Sequence, residues 1–398
     1  MATAIPSRMR ILKATFWSLA ASIVYTYAGY PAILGLLARL HPRRAQAPAP
    51  TSLPRVTLII AAYNEEEVIA DKLQNTLALD YPAELLEIIV AADGSNDRTP
   101  ARVRRFERKG VRLLFSPERR GKVAAINRAA TAATGEILVF SDANNTYDGS
   151  VIRELVTPFG DPDIGGVVGS KRVAVGDGNL GESEGLYWRY EAYIQRMETR
   201  LGSCTAAVGE ILAIRRSLFE APPEGIICDD FYMVMRLLRR GHRVVYRPEA
   251  RSVERVSLSK RDEMKRRANI VAGRFQAMSL SRHLLPFQSP QLVWQVMSHK
   301  FMRPLVPLAM IGMLLSNTAL ALRGSRWWTR MLLAQLAFYV TAVIGDRLAP
   351  TGMLGNITYL PTFLLNSNAA ALMGLYRFVL RRRDMHLWER VQRRGWNQ

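Results

Sequence analysis

Asp142 and Asn144 stand one residue apart, directly after the apolar run at 137–140. A carboxylate just past the end of a buried strand lies where open α/β sheets bind their ligands. Carboxylate and amide oxygens suit Mg²⁺ or Mn²⁺, and such a cation neutralises a leaving diphosphate. The alternative is an ordinary turn built from Asp and Asn. The pair therefore indicates nucleotide-sugar chemistry only if other residues support it.

Asp229 and Asp230 are adjacent and precede an apolar helical pattern. Two acids at a helix start interact favourably with the helix dipole, and this can be their whole role. Two close carboxylates also raise each other's pKa. A carboxylate poised near neutrality can take a proton from an acceptor hydroxyl. We predict that Asp230 is this general base.

Three further polar positions follow predicted strands or open a predicted helix. Tyr63 ends the first strand and could stack on a base, although a plain strand-end tyrosine is an equal alternative. Asp93 ends the second strand, where it could accept a hydrogen bond from a uracil N–H or a ribose hydroxyl; an Asx turn is the alternative. Lys122 opens a helix after the basic loop at 119–121, where it could meet a phosphate. A solvated surface loop is the competing interpretation, and the position beside two other strand ends favours ligand contact.

Alternating strand-like and helix-like patterns position these residues. Such alternation predicts an α/β fold with a mainly parallel sheet and right-handed crossovers. The predicted strands lie at 56–62, 86–91, 111–115 and 137–140, and the main predicted helices at 65–79 and 122–133.

The composition predicts two environments for this chain. It has 398 residues, of which 49% are hydrophobic, enough for a soluble core and for long apolar stretches beside it. The stretch at 16–40 is long enough to cross a bilayer, and its length favours a retained anchor over a signal peptide. Three later stretches, at 305–322, 327–344 and 354–380, each approach the ~20 residues of a membrane helix.

The chain is therefore expected to combine a soluble domain with membrane segments. If the soluble domain is cytoplasmic, three later crossings would place the basic C-terminal tail on the far side, against the positive-inside tendency. Either one span is re-entrant or this chain breaks the rule. The predicted units are an anchor at 1–40, a Pro/Ala-rich linker at 41–54, the α/β domain at 55–283, an interfacial helix region at 284–303, about three membrane helices at 304–380, and the basic tail at 381–398.

The formal charge of +20 suits anionic lipids, diphosphates or nucleic acid. A nucleic-acid binder is disfavoured because the acidic strand ends would repel phosphates. A dinucleotide-binding oxidoreductase needs G-x-G-x-x-G after the first strand, where AAYNEE stands. A transporter is disfavoured because no intramembrane charge pairs are evident.

The two cysteines, Cys204 and Cys228, lack metal-ligand spacing and give no disulfide framework.

In their order along residues 55 to about 275, these motifs resemble the family 2 inverting glycosyltransferases, which have the GT-A fold. The resemblance is to the membrane-embedded branch that contains the synthases of cellulose, chitin, hyaluronan and poly-N-acetylglucosamine. It implies that Tyr63, Asn64, Glu65 and Asp93 hold the nucleotide, and that Lys122 lies near its phosphates. The segment at 209–216, GEILAIRR, is similar to the acceptor-side segment of that family.

The resemblance also implies a metal and a base. Asp142 and Asn144 match the D-x-D element of the family, which binds a divalent cation, here Mg²⁺ or Mn²⁺. Asn144 replaces the second aspartate, which leaves one carboxylate for the metal. Asp229 and Asp230 match the element whose last carboxylate is the catalytic base.

The acceptor side departs most from the family. Synthases that extend polymers carry a Q-x-x-R-W element, and Arg266, Asn269 and Ile270 stand at its Gln, Arg and Trp positions. We expect these three residues to lie at the acceptor site, without the tryptophan platform for the acceptor sugar. Their identities put processive synthesis in doubt.

We therefore interpret the chain as an inverting membrane glycosyltransferase of the bacterial cytoplasmic membrane, with its catalytic domain in the cytoplasm. The expected donor is a nucleotide diphosphate sugar, with a UDP-sugar favoured, and the expected acceptor is a glycan in polysaccharide synthesis. Membrane lipids are the other expected partner, and nucleic acid is not. The alternative is transfer of one sugar to a lipid or lipid-linked acceptor, and the sequence does not decide whether a partner subunit is needed.

Overall fold

A computed structural model describes most of the chain, and structural statements below refer to the residues that it describes. The predicted basic tail at 381–398 and most of the predicted linker lie outside them. The described residues are 7–41, 50, 52–174, 178–255, 259–348 and 352–380.

Eight strands in the described chain form one sheet. The first of them is buried along nearly its whole length, which is typical of strands covered on both faces. The strands are β1 (Val56–Ala62), β2 (Leu86–Asp93), β3 (Val111–Ser116), β4 (Ile137–Asp142), β5 (Asn145–Tyr147), β6 (Ile164–Val173), β7 (Leu212–Arg215) and β8 (Arg243–Glu254).

The strand order is β3-β2-β1-β4-β7-β6-β8-β5. β1 to β4 pair in parallel, as the alternating pattern predicts. β7 runs antiparallel to both β4 and β6, and β5 runs antiparallel to β8, whereas β6 and β8 are parallel. The predicted α/β fold is confirmed, with parallel pairing concentrated in the first half of a mixed sheet.

The parallel register places the predicted site residues at one edge of the sheet. Ala61 of β1 pairs with both Ala91 of β2 and Asp142 of β4, and Asp93 pairs with Ser116 of β3. The carboxyl ends of parallel strands meet at one edge, so residues distant in sequence become neighbours there.

The helices of the domain follow the strands in sequence. They are α3 (Ile69–Leu77), α4 (Thr99–Arg104), α5 (Lys122–Ala132), α6 (Val151–Val156), α7 (Gly178–Leu201), α8 (Asp229–Arg239), α9 (Lys260–Ser279) and α10 (Ser281–Leu284), which come after α1 and α2 of the N-terminal segment. α5 packs on β1 and β2, and α8 packs on β6 and β8. One boundary differs from the prediction, because α3 begins at Ile69 rather than at residue 65.

Four helical stretches in the described chain are long and apolar enough to cross a membrane. In the N-terminal one, α1 (Ser7–Val24) and α2 (Tyr30–Leu40) continue through a π turn (Tyr25–Gly29). In the second, α11 (Pro290–Val296) continues through another π turn (Met297–Phe301) into α12 (Met302–Ala321). The predicted interfacial region is therefore helically continuous with the first later span.

The last two spans are α13 (Arg326–Leu348) and α14 (Gly352–Leu380). α1 packs along α12, and α9 of the catalytic domain packs along α14. The aromatic side chains of Phe16 and Trp328 meet edge to face, with ring centroids 5.1 Å apart. The packing of α9 on α14, together with that of α2 on α7, joins the catalytic domain to apolar helices on both sides of it in sequence.

Candidate active site

The loops after β1 and β2 bind each other through side-chain amides and hydroxyls. Asn64 has a left-handed backbone, with φ of 54°. Its N–H donates to Ser95 Oγ at 3.1 Å, and its side-chain amide exchanges two hydrogen bonds with Asn96. The N–H of Glu65 donates to Thr99 Oγ1 at 2.8 Å. These bonds fix Asn64 and Glu65 against the loop after β2, which is why α3 starts later than its apolar pattern predicts.

Asp93 supports the basic loop that precedes Lys122. It is 3% exposed, and its Oδ2 accepts hydrogen bonds from the backbone N–H groups of Arg120 and Gly121, at 2.8 and 2.7 Å. Its Oδ1 lies 3.5 Å from Nη1 of Arg128. In this arrangement Asp93 positions the loop at 119–122, and its predicted contact with the nucleotide stays a prediction.

Gly94 makes this close approach of the loops possible. Its φ is +67°, and a Cβ added there would lie 2.4 Å from Cβ of Arg119. The Arg119 guanidinium stacks on Tyr63, 3.8 Å from the ring centroid. One face of the Tyr63 ring is therefore covered by an arginine, and stacking of a base on Tyr63 stays a prediction.

We expect Gly94→Ala to destabilise the protein by about 1–3 kcal/mol, because it adds a positive-φ penalty to a clash with the loop. Gly110→Ala is the matched control, since Gly110 also has positive φ (+89°) but has nothing within 4 Å of an added Cβ. Thermal unfolding of both variants in detergent should show the larger decrease in unfolding temperature for Gly94→Ala. Equal decreases would mean that Arg119 moves aside without loss of stability.

Lys122 and Asp142 form an ion pair at the sheet edge. Nζ of Lys122 lies 2.6 Å from Oδ1 of Asp142. Burial disfavours the charged lysine, but the carboxylates of Asp142, Asp229 and Asp230 outweigh burial and raise the pKa of Lys122. Lys122 thus faces three carboxylates. The formal charge of this group is negative, and a bound cation would offset it.

Asp229 and Asp230 open α8 and differ in environment. Burial raises the pKa of Asp229 to about 6; Lys122 opposes this rise, and Asp230 and Asp142 add to it. Asp230 is only half-buried. A Cβ added at Gly209 would lie 3.5 Å from its Oδ2, so the bare backbone of Gly209 leaves room beside this carboxylate. The more accessible position suits Asp230 to the predicted role of base.

Asn144 lies in the turn between β4 and β5. Its Oδ1 is buried and has no hydrogen-bond partner in the described structure. Together with Asp142 it offers an unsatisfied oxygen and a carboxylate, a donor set that suits a hard divalent cation. No group of three or more His, Cys, Asp or Glu side chains within the described ranges is arranged to hold a metal, so other ligands would have to come from the diphosphate and water.

A cavity of about 710 Å³ joins these groups to the apolar helices. Its wall includes α14 residues such as Leu360, Phe363 and Ser367. It brings together six of the predicted site residues, namely Lys122, Asp142, Asp229, Asp230, Arg266 and Ile270. The other predicted site residues, Tyr63, Asn64, Glu65, Asp93, Asn144 and Asn269, are not in its wall.

The three predicted acceptor residues diverge on α9. Arg266 and Arg267 both pair with Glu263, at 2.8 and 3.0 Å, and they outweigh burial to lower the pKa of Glu263 to about 2. Asn269 instead accepts a hydrogen bond from Arg377 of α14. Of the three, Asn269 thus tethers the domain to a membrane-type helix, while Arg266 and Ile270 face the cavity.

The model of the family described as glycosyl transferase family 2 matches residues 57–221. Those residues contain Lys122, Asp142 and the loops that position them. This part of the chain is a family 2 glycosyltransferase domain.

Two curated relatives of this glycosyltransferase domain are bacterial proteins. The poly-beta-1,6-N-acetyl-D-glucosamine synthase of Staphylococcus aureus (strain COL) is 29% identical over 204 residues, which cover 50% of this chain and 49% of the synthase. The chain thus matches about half the length of that relative. The N-acetylglucosaminyltransferase of Rhizobium meliloti (strain 1021) is 26% identical over 329 residues, 78% of this chain and 76% of that protein.

A solved structure matches nearly the whole chain and supports the GT-A fold of its α/β domain. It is the mannosyltransferase PcManGT from Pyrobaculum calidifontis in complex with GDP-Man and Mn²⁺. It is 25% identical with a TM-score of 0.68, and the match covers 91% of this chain and 99% of that one.

Sequence reasoning missed a group of buried charges in the wall of the cavity of the glycosyltransferase. Glu191 of α7 lies 3.3 Å from Nζ of Lys300 and 3.1 Å from Nε2 of His299, and it also pairs with Arg303. These cations outweigh burial and hold the pKa of Glu191 well below its usual range. Lys300 and Arg303 belong to the second candidate span, and their pairing with Glu191 of α7 was not evident from the sequence. The available signal was His299, Lys300 and Arg303 within an otherwise apolar helix.

A second buried network, also missed, lies beneath Asp142. Nζ of Lys72 is 3.0 Å from Oδ1 of Asn145 and 4.1 Å from the centroid of the Tyr147 ring. Burial lowers the pKa of Lys72 to about 7. The side-chain amide of Asn145 donates a hydrogen bond to Oγ of Ser252. The Ser252 hydroxyl in turn donates to Glu210 at 2.8 Å. This network supports the turn that carries Asn144.

Proposed function

We propose that the chain is an inverting glycosyltransferase of the bacterial cytoplasmic membrane, with its catalytic domain in the cytoplasm. It would transfer a sugar from a nucleotide diphosphate sugar to a glycan acceptor in polysaccharide synthesis. The observation that carries this proposal is the convergence of Lys122, Asp142 and Asp230 on one cavity, whose wall continues onto helices of membrane-spanning type. The two N-acetylglucosamine-related proteins support an N-acetylhexosaminyl donor, with a UDP-sugar favoured.

The reaction is a single displacement at the anomeric carbon. Asp230 takes the proton of the acceptor hydroxyl, whose oxygen forms the new bond as the bond to the diphosphate breaks. Lys122 places a positive charge beside the diphosphate, and the loop supported by Asp93 holds Lys122 in position. Asp142 and Asn144 would hold a divalent cation, which would supply positive charge to neutralise the leaving diphosphate. The Mn²⁺ in the solved mannosyltransferase supports a cation requirement, and either Mg²⁺ or Mn²⁺ fits these oxygens.

Donor screening tests this function. The purified full chain in detergent is offered a panel of UDP- and GDP-sugars, and release of nucleoside diphosphate is measured with and without a chelator. We expect release from an N-acetylhexosamine donor, abolished by the chelator and restored by Mg²⁺ or Mn²⁺. Release that is unchanged by the chelator would contradict the proposed metal requirement. Absence of release from every sugar nucleotide tested would refute the proposed activity.

Product length separates the proposed polysaccharide product from the alternative of a single transfer. Ile270 faces the cavity where the synthase family has a tryptophan, so sugar stacking, worth about 1 kcal/mol or more per aromatic platform, is missing at that position. Trp188, Tyr187 and Phe363 also line the cavity and offer other aromatic surfaces to a glycan. Mass spectrometry of the products at saturating donor would distinguish chains from single additions.

We expect Asn144→Asp to strengthen cation binding, because it replaces an uncharged buried oxygen donor with a carboxylate beside Asp142. The Mg²⁺ concentration that gives half-maximal activity should fall by about tenfold, corresponding to ~1.4 kcal/mol. Asn96→Asp is a control at the same sheet edge, outside the cavity. A half-maximal concentration that does not change in Asn144→Asp would place the cation away from residue 144.

A further inference from the structure

A second group of charged residues lies near the carboxylates of the proposed transfer site, in the wall of the same cavity. Arg274 of α9, Lys300 of the π turn and Arg303 of α12 all line it, and Glu191 stands among them. We call these four residues the basic end. They come from four elements, α7, α9, the π turn and α12, so the fold and not a local run of charge brings them together.

The basic end contains hydrogen-bond donors that nothing in the described structure satisfies. Nη1 of Arg274 and both Nε and Nη2 of Arg303 are buried and without a hydrogen-bond partner. Nε1 of Trp188, in the same cavity wall, is likewise buried and unsatisfied. Buried charged donors without acceptors are costly and rare. Four such N–H groups around one cavity indicate a missing ligand that accepts hydrogen bonds.

The charges at the basic end do not balance. Glu191, 3% exposed, is the carboxylate that pairs with Lys300 and Arg303. No described carboxylate forms an ion pair with Arg274, and Glu198, which bonds to His299, is not in the cavity wall. Glu198 still acts on Lys300 through space, so three cations stand against two buried carboxylates and leave a formal excess of one positive charge. A phosphate monoester offers three unesterified oxygens to the unsatisfied donors, one more than a diester does.

The surroundings of the basic end indicate how such a ligand enters. One face of α14, including Leu360, Phe363 and Leu364, lines the same cavity, and α14 is long and apolar enough to cross a membrane. A ligand at the basic end therefore has phosphate-binding groups on one side and an apolar helix face on the other. This combination fits a lipid that carries a phosphate and places its apolar part against α14.

We propose that the basic end binds the phosphomonoester headgroup of a membrane lipid, at a site separate from the donor diphosphate. The guanidinium of Arg274 lies 4.4 Å from the ring centroid of Phe231, the residue after Asp230. A bound lipid would thus lie next to the proposed base and would close the membrane side of the cavity. The proposal goes beyond the transfer reaction, because it does not require the lipid to be the acceptor.

The test uses the purified full chain in detergent and native mass spectrometry with defined lipids. The probes are phosphatidic acid, a monoester, and phosphatidylglycerol, a diester. We expect phosphatidic acid to be retained preferentially, and its binding to fall about tenfold or more in Arg274→Gln and in Arg303→Gln, since each loses charge-assisted donors. Arg274→Gln removes no ion pair, so it keeps the test valid if Arg303→Gln fails to fold. Arg326→Gln, an exposed arginine at the start of α13, is the matched control and should bind as wild type.

UDP binding, measured on the same variants, distinguishes the two sources of phosphate. The proposal predicts UDP affinity within about twofold of wild type in Arg274→Gln and Arg303→Gln. Loss of UDP binding with lipid binding intact would assign the basic end to the donor diphosphate and overturn the proposal. Equal retention of the two lipids by wild type, or unchanged phosphatidic acid binding in both variants, would also overturn it, whatever the outcome of the donor screen.

Discussion

Asp230→Asn should reduce the rate of sugar transfer by about 10²–10⁴-fold, the contribution of a positioned general base. The asparagine keeps the size of the side chain and can still accept the hydrogen bond that the backbone N–H of Phe231 donates at 2.7 Å. It cannot take the proton of the acceptor hydroxyl. Initial rates of nucleoside diphosphate release at saturating donor and acceptor measure the loss.

The control for Asp230→Asn is the affinity for the nucleotide, which should stay within about threefold of wild type, because the proposed donor contacts lie elsewhere. Asp80→Asn removes an aspartate from the exposed pair with Arg153 and should leave the rate unchanged. A rate for Asp230→Asn within tenfold of wild type would move the role of base to another carboxylate, with Asp229 the nearest.

Glu198→Ala should destabilise the protein by about 3–5 kcal/mol, the cost of removing one partner from a buried charged network. Glu198 is fully buried. Its Oε1 accepts from the Tyr30 hydroxyl at 2.7 Å and lies 2.8 Å from Nδ1 of His299. Its Oε2 accepts from both the N–H and the hydroxyl of Thr205, at 2.7 and 2.9 Å. The single carboxylate joins the N-terminal span, the helix that leads into α12 and the catalytic domain.

Thermal unfolding in detergent, monitored by tryptophan fluorescence, measures this effect. Glu198→Gln is the conservative comparison, since it keeps an acceptor oxygen and should lose less stability than the alanine variant. Arg200→Ala, on the same helix and outside this network, is a control for changes in α7 itself. If Glu198→Ala unfolds at the wild-type temperature, the three parts of the chain are not joined through this residue.

The first half of the sheet could be predicted from the sequence. β1 and β4 are continuous apolar runs of strand length, and such runs between turn residues form buried strands whatever their neighbours. The start of α5 at Lys122 also matches the prediction, because Gly121 interrupts the pattern just before it. The polar residues at these boundaries then fall at one sheet edge by the geometry of parallel strands.

The antiparallel half of the sheet could not be predicted, because its pairing depends on contacts distant in sequence. β7 has only four residues and pairs with both β4 and β6. No local sequence pattern determines this pairing. The late start of α3 has a similar cause. The backbone N–H groups of Asn64 and Glu65 donate hydrogen bonds to Ser95 and Thr99, which are distant in sequence.

The candidate site shows the same division. Recognisable boundaries mark four of the site residues: Asp142 ends a strand, and Lys122, Asp229 and Asp230 begin helices. These four residues do meet in the cavity. The basic end could not be predicted, because Glu191 and Arg303 are 112 positions apart and pair only when α7 packs against the start of α12. The place of Asn269 in the Q-x-x-R-W element predicts an acceptor contact, yet its side chain bonds to α14, since a helix position alone does not fix which neighbour a side chain meets.

The account depends on a cation and a diphosphate meeting at Asp142, and binding of Mn²⁺ followed by electron paramagnetic resonance tests this most directly. The free-ion signal is titrated with the full chain, with and without UDP, for wild type and Asp142→Asn. We expect wild type to bind Mn²⁺ much more tightly when UDP is present, and Asp142→Asn to lose that UDP-dependent binding. Equal UDP-dependent binding of Mn²⁺ by the two proteins would contradict the account.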